Sequence, residues 1–264
     1  MKKLLSVFVF VLTLIALVGC TSSNIYTFIL DESYDGYITL GTSADYAPYE
    51  WIKNVEGKSA LVGIDIEIAK EIAHAMKKNL KVVNKGFDFL LDDLKQGKVD
   101  FVLAGMTPTD KRKQEVDFSM VYYEAIQVIM INESNLDAYQ TFDDLNKSSI
   151  RIGAQLGSIQ QDLAETFTLA QKQYIQTIPD LMMRLSDGQI DAVIVEKPVA
   201  DGYVLNRENL AISNIMIGDP EGGSAVAVQK GNTEFLTVIN QVIEELISTG
   251  KLNQIVVDMI SFNQ

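Results

Sequence analysis

Cysteine is almost missing from this chain. Among 264 residues there is one cysteine, one histidine, one tryptophan and five prolines. With Cys20 alone, the body that follows has no disulfide framework and no thiol nucleophile. His74, the single histidine, leaves the usual zinc sites without ligands and Ser-His catalysis without its base. No metal or cofactor is expected. Basic residues are scarce too: 22 Lys and Arg stand against 35 Asp and Glu, for a formal net charge of −13. No basic patch stands out, which argues against binding a phosphate backbone, so no nucleic-acid partner is expected. Beyond the first 19 residues no apolar run approaches the roughly 20 residues that cross a bilayer. The acidic surplus keeps the chain soluble and can also concentrate cationic small molecules near it.

What is present begins at the N-terminus. Lys2 and Lys3 precede an apolar stretch from Leu4 to Val18. This is short for a membrane span and fits the apolar region of a secretory signal, about 7–15 residues. Its ending, Leu17-Val18-Gly19-Cys20, resembles a bacterial lipobox. That resemblance implies removal of residues 1–19 and lipidation of Cys20, palmitate included, with residues 20–35 as a tether. Two acyl chains supply stable anchoring. The body would then sit on the outer face of a membrane, outside the cytoplasm.

Without the leader, enough chain remains for two lobes of about 100–120 residues each, or for one large domain. Strand-like and helix-like segments alternate, which indicates an α/β fold. Ile64, Ile68, Ile72 and Met76, with Ala69 and Ala73, mark one helical face. Val99 to Ala104 reads as a buried strand of a parallel sheet. Phe235, Val238, Ile239, Val242, Ile243, Leu246 and Ile247 form a helical stripe stopped by Gly250. His74 is expected on an exposed helix face, and Gly222-Gly223-Ser224 reads as a turn. A weak repeat orders these pieces. Leu94 to Val102 matches Leu185 to Val193: helix end, Gly, β-branched residue, Asp, buried strand. Ile38 to Thr42 matches Ile150 to Ala154 in the same order. Two Rossmann-like lobes follow, residues 36–124 plus 218–264 and residues 125–217. Ligands of such open sheets sit beyond the carboxyl ends of the strands, here in a cleft between lobes.

Candidate site residues cluster at those strand ends. Ser43 to Trp51 combines aromatics and carboxylates in a loop. Gly105 to Arg112 offers a close backbone approach at Gly105, a hydroxyl at Thr107, a helix cap at Thr109, and at Arg112 a guanidinium suited to a carboxylate. Gln155 to Gln160 is a glycine-containing turn into a helix capped by Ser158, with N–H groups that favour an anion. Glu196, at the end of the strand Ala192 to Val195, can hold an ammonium or offset a helix dipole.

Together these segments resemble the extracellular solute-binding proteins of polar amino-acid ABC transporters, family 3. The run from Val99 through Met106, Thr107, Arg112 and Ser119 carries the resemblance most specifically. Ser43 to Trp51, Val62 to Ala69 and Leu156-Gly157-Ser158 support it. The family implies a type II periplasmic binding fold: two lobes, two hinge strands near Tyr123–Ala125 and Ile217–Asp219, and closure on a free amino acid. It also implies a permease and ATPase as partners, and a monomer is expected. By position, Arg112 would take the ligand's α-carboxylate, helped by backbone N–H groups near Thr107 and Ile159. The α-ammonium would lie among the Gly105 carbonyl, the Thr107 hydroxyl and Glu196. Ser43, Met106, Gln155 and Ser158 complete the implied set. The chain has Glu196, Ile159 and Ser43 where many or some relatives have Asp, Thr and Asp.

For the ligand's side chain, Tyr46, Trp51 and Phe87 are expected to form an aromatic slot, with Glu50 and Asp45 as charge partners. The resemblance in this loop is closer to arginine binders, so arginine is expected first, with lysine or histidine as alternatives. If Asp45 and Glu50 face solvent, glutamine serves as well. The rival from another class is an enzyme resembling cyclohexadienyl dehydratases, with Glu196 as its acid. A carboxylate facing an ammonium explains Glu196 more simply, and no enzyme activity is expected.

Overall fold

The computed structural model describes residues 24–218 and 222–263. The leader, Cys20 and Asp219 lie outside the described residues.

β-branched and aromatic residues in alternating runs build two main sheets. The first contains β1 (Ile25–Phe28), β2 (Tyr37–Thr42), β6 (Asn79–Asn84), β7 (Phe101–Val102), β8 (Val116–Glu124) and β14 (Gly223–Gln229). Their order is β1-β6-β2-β7-β14-β8. β2 runs parallel to β6 and β7, whereas β14 is antiparallel to β7 and β8. The second sheet contains β9 (Gln127–Asn132), β10 (Arg151–Gln155), β11 (Gln171–Ile175), β12 (Ala192–Glu196) and β13 (Leu210–Ile212), ordered β11-β10-β12-β9-β13. A small antiparallel meander, β3 (Asp45–Tyr46), β4 (Glu50–Val55) and β5 (Lys58–Val62), stands beside the first sheet. The chain passes between the sheets at 124–127 and returns between Ile212 and Gly223. Gly223 pairs with Glu124, so the return runs beside the outgoing strand.

Helices pack on both sheets: α1 (Ile64–Ala75), α2 (Leu90–Lys95), α3 (Asp110–Glu115), α4 (Phe142–Leu145), α5 (Ile159–Ala164), α6 (Ile178–Ser186), α7 (Lys197–Asn206), α8 (Thr233–Ser248) and α9 (Lys251–Asn263). The helical face expected of α1 is buried through Ile64, Ile68, Ala69, Ile72 and Ala73. The stripe of α8 packs beside it through Phe235, Ile239, Val242, Ile243 and Leu246. Each such side chain, fully buried, contributes about 1.5–3 kcal/mol. His74 is exposed on α1, and its Nδ1 meets the Tyr34 hydroxyl at 2.8 Å.

The internal repeat has a structural counterpart. Asp100 accepts from the Thr39 N–H at 2.7 Å, and Asp191 accepts from the Arg151 N–H at 2.8 Å. Each aspartate ties the start of one parallel strand to its neighbour. The registers match as well: Gly41 lies opposite Val102 and Gly153 opposite Val193.

Several segments differ from the sequence reading. Ile25–Phe28, expected within the tether, is an edge strand paired with β6, as its alternating pattern suits. The strand expected over Val99–Ala104 is regular only at Phe101–Val102, although all six positions but Asp100 are buried. Gly223 and Ser224 open β14 instead of forming a turn, because Glu124 and Tyr123 supply strand partners.

Candidate functional site

The loops after β2, β6, β7 and β10 meet between the two sheets. From the first lobe, Tyr46, Phe87, Ala104, Gly105, Thr107 and Arg112 line a cavity. From the second come Gln155, Ser158, Ile159 and Gln160. Its volume is about 10 Å³, the room one water needs.

Local structure positions each group. Thr109 caps α3, accepting from the Arg112 N–H at 3.2 Å, as its place in the sequence suggests. The first turn of α3 thereby aims Arg112 at the second lobe. Arg112 Nη1 donates to the Thr107 carbonyl at 2.8 Å, and Nη2 to the Gly157 carbonyl at 3.1 Å. Its guanidinium lies 5.3 Å from the centroid of the Phe87 ring, a cation–π geometry. Burial lowers its pKa to about 10, countered in part by Asp162, so it stays charged at neutral pH. Ser158 caps α5, accepting from the Gln161 N–H at 3.3 Å.

Further contacts close the cleft. Asp45 Oδ2 accepts from the Ile178 N–H at the start of α6, 3.0 Å away, and Gln176 donates to Asp88 at 3.3 Å. Tyr46 and Tyr49 stack with centroids 5.4 Å apart and share one apolar cluster with Val128, Met130 and Val195 of the second sheet.

Six expected site residues do not line the cavity. Cross-strand neighbours share a face of a sheet, and in the meander Tyr46 pairs with Glu50 while Asp45 pairs with Trp51. Tyr46 reaches the cavity and Glu50 lies fully buried behind it. Trp51 and Asp45 instead border a separate crevice of about 380 Å³, with Tyr203 and Arg207. The Trp51 ring sits 6.3 Å from that of Phe262. The expected aromatic slot therefore loses Trp51 and keeps Tyr46 and Phe87. Ser43 turns to Asp45, donating to Oδ1 at 3.1 Å, and borders another crevice beside Asn84 and Gln176. Met106 is buried in the apolar cluster under Phe87. Glu196 is also buried, beneath Tyr46 and Tyr49, and its Oε2 has no hydrogen-bond partner.

The buried acids set the electrostatics. Burial raises the pKa of Glu196 to about 7, while nearby Tyr49 and Gln127 pull it down. Burial likewise raises Asp45 to about 6 against the Ile178 N–H and Ser43, and Asp65 to about 6 against the Gly105 N–H and Tyr122. Glu50 is raised well above the carboxylate range, first by burial and then by Asp65. Arg112 is the one basic residue among the described residues that line the cavity.

Sequence reasoning missed Ala104, Gln160, Gln127, Asp65 and Tyr122. Gln160 donates to Gln127 at 2.8 Å in the buried floor. Asp65 could have been suspected, since an acid among Ile64, Ile66 and Ile68 must find partners once buried.

The chain belongs to the bacterial extracellular solute-binding proteins, family 3, whose signature spans residues 38–259. It is 35% identical over 263 residues to the arginine-binding extracellular protein ArtP of Bacillus subtilis (strain 168), covering 97% of this chain and 96% of that protein. Its fold is similar to that of AbpA, an amino acid ABC transporter substrate-binding protein of Streptococcus pneumoniae Canada MDR_19A bound to L-arginine. That match has a TM-score of 0.83 and 34% identity, over 86% of this chain and 96% of the other. The ancestral amino acid-binding protein AncCDT-1, a precursor of cyclohexadienyl dehydratase, is similar at TM-score 0.78 and 27% identity, over 85% of this chain and 96% of that one.

Proposed function

We propose that this chain is the substrate-binding component of an amino-acid ABC importer and captures a free amino acid by closing its lobes, L-arginine first, with lysine or histidine as alternatives. One observation carries this reading. A charged guanidinium, Arg112, enters the interlobe cavity bound only to carbonyl oxygens, while Glu196 keeps a buried oxygen without a partner. A zwitterion satisfies both: its α-carboxylate takes Arg112 and N–H groups near Thr107 and Ile159, and its α-ammonium takes Glu196, Thr107 and the Gly105 carbonyl. The similarity to the arginine-binding ArtP and to arginine-bound AbpA supports arginine. The cavity is too small for an amino acid, so entry requires the lobes to part and Arg112 to leave the Gly157 carbonyl. The two crossings, near Tyr123–Ala125 and in the return toward Gly223, act as hinges.

The protein performs no chemistry in this reading. It works as a monomer outside the cytoplasm, held to the membrane through diacylated Cys20, and delivers its ligand to a permease driven by an ATPase subunit. A glutamine-type binder is the second reading. It is favoured by the absence of Asp45 and Glu50 from the cavity lining among the described residues. Calorimetry of the mature protein against arginine, lysine, histidine, glutamine and glutamate tests the reading. Arginine should bind most tightly; a flat arginine trace beside a strong glutamine one selects the second. Incubation with prephenate should give no turnover.

A further inference from the structure

Behind the cavity lies a pair of acids that the binding reading does not use. Glu50 opens β4 and Asp65 is the second residue of α1; neither side chain is exposed. Their backbones are pinned together. The Ile64 and Asp65 N–H groups donate to the Pro48 and Tyr49 carbonyls at 3.0 and 2.9 Å. Gly63 permits this approach, since a Cβ there would stand 2.0 Å from the Tyr49 carbonyl oxygen. Asp65 Oδ1 accepts from the Tyr122 hydroxyl at 2.7 Å, and Oδ2 from the Gly105 N–H at 2.8 Å. Gly105 belongs to the cavity wall. It has a φ of +54°, and a Cβ on it would press on the Tyr46 ring at 3.1 Å. Asp65 therefore anchors the turn whose carbonyl would face the ligand's ammonium.

Glu50 has no such donors: neither of its carboxyl oxygens accepts a hydrogen bond, and its carboxyl group meets that of Asp65. The titratable groups facing it are Asp45 and Tyr46 from β3, Asp65 from α1, Tyr122 from β8 and Glu196 from β12, all acids or phenols. Two adjacent carboxylates buried without a cation cannot both remain ionised. They titrate as a pair, and the first proton to leave belongs to both.

We infer that Glu50 and Asp65 hold one proton between them, and that this acid–carboxylate pair fixes the Gly105 turn on which the ligand's ammonium rests. Asp65, already satisfied by two donors, carries the charge; Glu50 carries the proton and points it at Asp65. Glu50 is then a positioning residue that acts through Asp65 and Gly105 without touching ligand. The expectation that it pairs with a ligand guanidinium gives way to this role. The part concerning the ammonium rests on the function proposed above; the shared proton does not.

The test begins with the ligand-free mature protein. Infrared spectra at pH 7 should show a protonated buried carboxyl band, to which Glu196 also contributes, and Glu50→Gln should diminish it. The folded chain holds this proton more tightly than the unfolded chain, so the Tm should fall as pH rises from 5 to 9. Glu50→Gln should reduce that fall, leaving the part due to Asp45, Asp65 and Glu196. With L-arginine as probe, Asp65→Ala should weaken binding at least tenfold, and Asp65→Asn, which keeps an acceptor for Gly105, should recover part of it. A wild-type spectrum without the band, or a band unchanged in Glu50→Gln, overturns the shared proton. Asp65→Ala binding arginine like wild type overturns the anchoring role. If Asp65→Ala does not fold, Asp65→Asn carries that arm, and equal affinity there combined with an unchanged band overturns the inference. Wild-type protein that fails to bind arginine counts against the ligand assignment alone, because the infrared and Tm measurements need no ligand.

Discussion

Arg112, on the first lobe, donates a 3.1 Å hydrogen bond to the Gly157 carbonyl on the second. One guanidinium thus holds the lobes together, and the Gly157 carbonyl occupies the place where a ligand carboxylate would bind. Truncating one partner of a buried charge pair costs about 2–5 kcal/mol. Arg112→Ala is therefore expected to weaken binding of every amino acid by roughly 100-fold or more, measured by calorimetry. A mere change of preference among ligands would contradict the carboxylate role.

Glu196 should give ligand binding a pH dependence. Its folded pKa is near 7, raised by burial, and an ammonium binds its ionised form. Affinity for arginine should therefore rise between pH 5.5 and 8, and Glu196→Gln should weaken binding and flatten that rise. The ligand-free protein should show the opposite trend in stability. A raised folded pKa means the folded state binds more protons than the unfolded one between the unfolded value and 7, so stability declines as pH rises through that window. Calorimetry and thermal melts over the same pH series check both.

Trp51 separates packing from binding. Its ring lies against Phe262, away from the cavity, whereas Phe87 stacks under Arg112. Trp51→Ala should destabilise the fold by about 3–5 kcal/mol yet leave arginine affinity within about threefold. Phe87→Ala should lower affinity by tenfold or more. Paired denaturant melts and titrations distinguish the two.

The repeated aspartates invite a matched comparison. Asp191 accepts from the Arg151 backbone N–H and from Nε and Nη2 of its guanidinium at 2.9 Å each, whereas Asp100 serves a backbone N–H. Each Asp→Ala change should destabilise by about 1–3 kcal/mol, with Asp191→Ala the larger because it also strands Arg151. Chemical denaturation of the two variants measures the difference.

The fold was readable because its signals are local. The stripe of α8, the caps Thr109 and Ser158, and the Gly–Asp repeat each lie within a few residues of sequence. β1 was not readable, because four residues make a strand only when an edge such as β6 accepts them. In the site, Tyr46, Phe87, Gly105, Thr107, Arg112, Gln155, Ser158 and Ile159 converge because each lies at or beyond the carboxyl end of β2, β6, β7 or β10. Trp51 and Glu50 were grouped with Tyr46 by proximity in the chain. Only the register of β3 on β4 shows that Asp45 and Trp51 share one face and Tyr46 and Glu50 the other. Gln127 and Asp65 are reached through contacts 33 and 40 residues apart in sequence, which no local pattern carries.

A crystal structure of the mature protein grown with L-arginine tests the central claim most directly. The account predicts the α-carboxylate on the Arg112 guanidinium, displacing the Gly157 carbonyl, and the α-ammonium within hydrogen-bond reach of Glu196 and the Gly105 carbonyl. Arginine bound in reverse, or seated in the crevice beside Trp51 and Arg207 with Arg112 still on Gly157, would contradict it.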